Sequence, residues 1–202
     1  MSPVQPYQIF QNLPQLETSR LIIRRLAFSD MPDLFEVASH PEVTRYITWE
    51  THRSLDDTRR FIQIVHDWYE RQEVLYWGVV RKSDNKLIGT CGIFEWVVRD
   101  ARAELSYTLG KPYWGQGYAS EIVGNLIRFG FETLQLNRLE GRCLRENLAS
   151  AHVLEKAQLS LDGILRQQLY LKGTYRDLKV YSLLRQEWLN LANFNRQSPF
   201  NS

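Results

Sequence analysis

The chain has 202 residues, 44% apolar and 24% charged, which suits one globular domain with a substantial core. Its 25 Lys and Arg against 23 Asp and Glu leave a net charge of +2, too small to point to nucleic acid or an anionic membrane as partner. No apolar run is long enough to span a bilayer, and Met1 to Pro14 lacks the charged start and apolar run of a secretory signal, so a cytoplasmic protein is expected.

Residues 1–15 are rich in proline and glutamine with little periodicity and read as a loose arm before a domain spanning 16–190. Leu21 to Leu26 reads as a first strand, with Arg20, Arg24 and Arg25 as its solvated rim. Ser29-Asp30 caps a helix over Pro32 to Ser39, which His40-Pro41 ends. Ser54-Leu55-Asp56-Asp57 opens a second helix, whose stripe carries Phe61, Ile62, Ile64, Val65, Trp68 and Tyr69. Three strands follow, at Tyr76 to Arg81, Leu87 to Val98 and Arg102 to Leu109, joined by turns at Ser83 to Lys86 and at Arg99-Asp100.

After a glycine-containing loop the pattern predicts a helix from Glu121 to Phe131 and a strand from Asn137 to Leu144. Glu146-Asn147 then caps a helix running through Lys156. A last strand pair, Leu159 to Tyr170 and Tyr175 to Arg185, turns at Lys172-Gly173-Thr174, and residues 191–202 read as a tail. This order predicts an α/β (α+β) fold: a largely antiparallel mixed sheet with a crossover helix joining two parallel strands. Cys91 and Cys143 each sit in a strand-like run and read as buried thiols. His40, His52, His66 and His152 never cluster, so no metal site is expected.

The loop Tyr113-Trp114-Gly115-Gln116-Gly117-Tyr118-Ala119-Ser120-Glu121 is the most chemical feature. Its small residues let backbone N–H groups converge, and the helix behind adds unpaired donors and a positive dipole end, so the place suits a phosphate or pyrophosphate. It is not a P-loop, since no Gly-Lys is followed by Ser or Thr. Nor is it a dinucleotide fingerprint, because Ser120 stands at the last glycine position.

Six motifs in order carry a resemblance to the GNAT superfamily of acetyl-CoA-dependent N-acyltransferases, in the branch of the RimJ and RimL ribosomal-protein N-acetyltransferases. They are Leu16-Glu17-Thr18-Ser19-Arg20-Leu21-Ile22-Ile23-Arg24, Ala103 to Leu109, Tyr113 to Ala119, Asn137-Arg138-Leu139-Glu140, Asn147-Leu148-Ala149-Ser150 before Val153 to Lys156, and Lys172 to Asp177 before Tyr181 to Leu184. The likeness spans about residues 16–189. It implies a GNAT-type fold of about seven strands flanked by four helices.

The resemblance also implies roles. Backbone N–H groups from Gly115 to Ser120, with Trp114 beside them, would hold the coenzyme A pyrophosphate. Tyr107, Thr108 and Leu109 would splay from the neighbouring strand and pair with the pantetheine, and an N–H near Leu109 would polarise the thioester carbonyl. Asn147 would steady the pantetheine arm. Ser150 is the candidate proton donor, because the place where relatives carry a tyrosine is Leu154 here. Asn147, Ser150 and Leu154, at i, i+3 and i+7, would share one helix face.

For the base that frees the amine of its proton, Glu104 is favoured, with Glu95, Glu140 and His152 as alternatives. Glu104 also reads as a half-buried carboxylate paired with an arginine such as Arg102. Strand alternation puts Glu104 with Ser106 and Thr108, opposite Tyr107 and Leu109. Acceptor walls are expected from Phe35 to Trp49, from Trp68 to Trp77 and from around Lys172 to Arg176, with Arg45, Tyr46 and Trp49 as the candidate contacts. The acceptor is expected to be a primary amine, a protein N-terminus or a small molecule. A homodimer is compatible with the resemblance. The alternative function is a non-catalytic acyl-CoA-binding module. Two departures stand out: Trp114 replaces the Arg or Gln that often begins the loop, and Ala157-Gln158-Leu159 replaces the usual Leu-Gly-Phe.

Overall fold

The computed structural model describes residues 6–197. The chain opens with helix α1 (Pro6–Gln11) where a loose arm was expected. Ile9, Phe10 and Leu13 of this segment pack on the core, and Trp77 Nε1 donates to the Pro14 carbonyl at 2.9 Å. Residues 1–5 of the expected arm lie outside the described residues. Strands β1 (Leu16–Glu17) and β2 (Leu21–Arg24) follow, the latter ending two residues short of the sequence reading.

Arg20 and Arg25 of the basic cluster are exposed, as a solvated rim would be, but the cluster is also tied into the fold. Arg24 grips Asp30 through two bonds of 2.8 and 2.7 Å, and Arg25 lies 4.2 Å from the centre of the Tyr69 ring. Helices α2 (Met31–Ala38) and α3 (Pro41–Thr44) precede α4 (Leu55–Arg71). Ser54 caps α4 as expected, accepting from the Asp57 N–H while Asp57 returns a bond to the Ser54 N–H. Of its apolar stripe, Ile62, Val65 and Tyr69 are buried, whereas Ile64 faces outward, being 47% exposed.

Strands β3 (Leu75–Arg81), β4 (Lys86–Val97) and β5 (Arg102–Leu109) form an antiparallel meander. Helix α5 (Tyr118–Arg128) begins three residues earlier than expected and ends in a π-helical turn, Phe129–Thr133. Strand β6 (Arg138–Leu144), helix α6 (Leu148–Lys156), the hairpin β7 (Ser160–Leu171) and β8 (Thr174–Leu184), and helix α7 (Arg185–Gln197) complete the described chain. Residues 191–197, read as the start of a tail, continue α7; residues 198–202 lie outside the described residues.

The eight strands make one sheet in the order β1-β2-β3-β4-β5-β6-β8-β7, antiparallel except for β5 beside β6. That parallel pair is joined through α5, the crossover the sequence pattern predicts. One face packs on α5 and α6, with Leu105, Ile122, Leu126, Leu139 and Leu154 in its core. The other packs on α2 and α4, through Leu34, Ile62, Val65, Tyr69 and Tyr76. The described residues hold one strand and three α-helices more than the counts expected. Helix α6 stops without its glycine: Gln158 takes the left-handed conformation, φ 67°, and Leu159 N–H reaches back to the Leu154 carbonyl at 3.0 Å.

Candidate active site

The parallel partners β5 and β6 stay paired only from Arg102↔Arg138 to Leu105↔Gly141. Beyond that row Ser106 to Leu109 remains bonded to β4 alone and Arg142 to Leu144 to β8, so the sheet forks. Gly141 sits at the apex, where an added Cβ would lie 2.7 Å from Leu154 Cδ2. The same contact shows that Leu154 turns into the core. It does not share the ligand-facing side with Asn147 and Ser150 as expected; that side is continued by His152, Val153 and Lys156. With Ala149 these three lie at i, i+3, i+4 and i+7, a spacing that marks them as one face.

A cavity of about 420 Å³ runs from the fork to the N-terminus of α5. Tyr107, Thr108, Leu109, Trp114, Gly115, Gly117, Tyr118, Ala119, Ser120, Asn147 and Ser150 all line it. Gln116 does not: its side chain donates to the Pro112 carbonyl at 2.6 Å and its own carbonyl accepts from Arg20. Gly115 and Gly117 have φ of 72° and 81°, which turns the loop tightly enough to present α5 end-on. No side chain caps α5, so its first N–H groups face the cavity unclaimed by a cap.

Arg20 clamps this loop from 101 positions away. Its Nε donates to Glu121 at 2.7 Å, its Nη1 to the Gln116 carbonyl at 3.0 Å, and its guanidinium covers the Tyr118 ring at 4.2 Å. Trp114 packs rather than contacts an anion through charge, its indole N–H donating to the Leu109 carbonyl at 2.8 Å. Asn147, which lines the cavity, caps α6 by accepting from the Ser150 N–H at 3.2 Å through its side-chain oxygen, so the cap does not use its amide nitrogen. The open space at Gly115, the uncapped helix end and the unpaired edge of β5 fit a pyrophosphate carried on an extended amide-bearing arm, the shape of coenzyme A.

At the fork the hydroxyls of Tyr107 and Ser150 lie 3.0 Å apart. Burial pushes the Tyr107 phenol up to about 12, against the Ser150 hydrogen bond, so it stays a proton donor near neutrality. The sequence reading had Tyr107 only as a backbone partner for the ligand; the signal for its hydroxyl was strand alternation, which places it opposite Glu104.

Glu104 does point to the other face, one row before the fork opens. It pairs with Arg142 Nη1 at 3.2 Å rather than with Arg102. Glu140 and Glu95 meet the same guanidinium through Nη2, at 3.1 and 3.5 Å. Burial pushes Glu104 up to about 7, against the pull of Arg142 and reinforced by Glu95 and Glu140. His152 lines the coenzyme-shaped cavity instead.

A second cavity, about 710 Å³, lies beyond the fork and shares Tyr46 with the first. Arg45 and Tyr46 line it, together with Lys172, Tyr175 and Arg176 of the β7–β8 turn region. Trp49 lines neither cavity; its ring packs on His52 and Phe61 at 5.2 and 5.7 Å, as part of the core edge.

The forked mixed sheet, with an uncapped helix end on one side, offers the place that the sequence resemblance requires for an acyl-coenzyme A. Residues 20–160 match the family model described as the acetyltransferase (GNAT) domain. The chain is 34% identical over 172 residues to the N-acetyltransferase YoaA of Bacillus subtilis, covering 85% of this chain and 97% of that one. It is 23% identical to spermidine N(1)-acetyltransferase of Vibrio cholerae, over 85% and 97% of the two chains. The fold is shared with RimL, the ribosomal L7/L12 alpha-N-protein acetyltransferase solved with coenzyme A, at a TM-score of 0.76, 20% identity, and 86% and 99% coverage. This chain belongs to the GNAT acetyltransferase family and is an acetyl-CoA-dependent acetyltransferase. Among the described residues no helix is long and apolar enough to cross a membrane.

Proposed function

We propose that the protein transfers acetyl to a primary amine by direct attack, with Glu104 as the base and the Tyr107–Ser150 pair as the proton source for the leaving thiolate. The observation that carries this is the placement of the two groups on opposite faces of β5, Glu104 just before and Tyr107 just past the last row that pairs with β6. When bound, acetyl-CoA supplies the thioester carbonyl and the thiolate leaving group. The N–H groups of Gly115 to Ser120 would hold its pyrophosphate, the free edge of Ser106 to Leu109 would align the arm, and an N–H near Leu109 would polarise the carbonyl.

An amine attacks only when neutral. A carboxylate raised to about 7 removes its proton, directly or through one water, with more driving force than an ordinary glutamate. On the other face the paired hydroxyls of Tyr107 and Ser150 return a proton to sulfur. RimL acts on a protein N-terminus, and the second cavity is roomy enough to take the first residues of a chain, so we read the acceptor as an N-terminal α-amine.

Initial rates over a grid of acetyl-CoA and peptide concentrations should give converging double-reciprocal lines, the mark of a ternary complex; parallel lines would mean a covalent acetyl-enzyme and end this reading. Glu104→Gln and Ser150→Ala should keep calorimetric binding of acetyl-CoA while losing most turnover. If both turned over normally, the residue roles would be wrong.

A further inference from the structure

The groove on the acceptor face is electrically lopsided. At the fork the Arg142 guanidinium meets three carboxylates, Glu95, Glu104 and Glu140, and Arg138 is shared between Glu140 and Asp162, so two cations face four anions and an incoming ammonium meets a negative surface. The second cavity lies farther along β6. Its floor residue Leu144 lies two positions past Arg142 on the same face of β6, about 7 Å along the strand.

The balance there has the opposite sign. Arg145 is spent on Asp177 and Arg176 on Glu146, each at 3.3 Å. Lys172 gives one bond to the Thr44 carbonyl at 2.6 Å and keeps two donors. Arg45 has no carboxylate within ion-pair distance among the described residues, and its guanidinium rests 5.1 Å from the centre of the Tyr46 ring. Glu50 is the one lining carboxylate without an ion pair among the described residues. The uncommitted charge is therefore two cations against one anion.

We infer that the acceptor carries an acid group a few residues from its reacting amine, and that Arg45, with Lys172 beside it, receives that group. This rests on the transfer to an N-terminal amine proposed above. A polyamine would set its distal ammonium groups against Arg45 and Lys172, whereas a carboxylate there gains a charge-assisted pair. The substrate class is a protein or peptide whose N-terminal residue is followed within a few positions by Asp or Glu.

The test compares short peptides that differ only in having Asp or Lys at positions two to four, alongside free glutamate and spermidine. The acidic peptide should be acetylated with at least tenfold higher kcat/KM than the lysine peptide. Arg45→Glu should erase that preference, chiefly by raising KM for the acidic peptide. Free glutamate as the best acceptor would place the acid group on a small molecule and overturn the peptide assignment. Spermidine or the lysine peptide as the best acceptor, or a preference that survives Arg45→Glu, would overturn the charge assignment. Titrating the same peptides into the CoA-bound protein reads the preference without turnover. Selective binding of the acidic peptide with no acetylation of any amine would support the charge reading while ending the proposed transfer to an N-terminus.

Discussion

Tyr107 and Ser150, 43 positions apart, bring their hydroxyls to 3.0 Å across the opening between β5 and α6. The pair ties the strand that aligns the coenzyme to the helix that closes over it. Tyr107→Phe keeps the ring and removes the proton donor. We predict a tenfold to hundredfold fall in kcat, on the scale of general acid catalysis, with KM for acetyl-CoA nearly unchanged. Steady-state kinetics checks this, and an equal rise in KM would show that the hydroxyl serves binding instead.

Glu104 acts on the opposite face and should set the acid limb of activity. As a base it works ionised, so kcat/KM should climb with pH through about 7 and level off above. Stability runs the other way. A carboxylate whose folded pKa is raised favours the folded state while protonated, and that advantage is lost as pH rises from the ordinary glutamate range through about 7. Glu104→Gln should remove the rising limb and flatten that stretch of the stability curve. Rate profiles together with urea melts across pH 4 to 8 decide both halves.

Gly117 holds φ 81° at the first turn of α5. An L side chain there costs about 1–2 kcal/mol of backbone strain, and its Cβ would come within 3.5 Å of the Arg20 guanidinium that clamps the loop. Gly117→Val should weaken acetyl-CoA and free CoA alike, by at least tenfold in a calorimetric titration. Unchanged affinity would remove the pyrophosphate from this loop.

Gln158 carries the opposite error, a side chain where a glycine would relax. Gln158→Gly should stabilise the fold by about 1 kcal/mol, less the extra freedom glycine gains in the unfolded chain, with activity unaltered. A lower denaturation midpoint would show that the Gln158 side chain contributes more than its strain costs.

What could be read from residues alone was whatever depends on near neighbours. The loop with Gly115 and Gly117, the Ser54 cap and the Asn147 cap are short-range devices, and each stands where its spacing puts it. Alternation along β5 also placed Glu104 and Tyr107 on opposite faces. Partners set by tertiary packing stayed hidden. Arg20 looked like a strand rim because Glu121 lies 101 positions away, and Glu104 looked destined for Arg102 because Arg142 arrives on another strand. Residues 6–11 lack a periodic pattern long enough to announce a helix, and theirs forms against the core through Ile9 and Phe10. Trp49 illustrates the reverse error, an aromatic near a site that belongs to the packing behind it.

Only four residue rows stitch β5 to β6, so the eight strands behave as two panels joined by a short seam. The coenzyme cavity lies along the part of the seam left open, where β5 has backbone groups with no strand to meet. A ligand that supplies those partners lengthens the seam. Substrate loading and the stiffness of the protein's middle are thus one mechanical event.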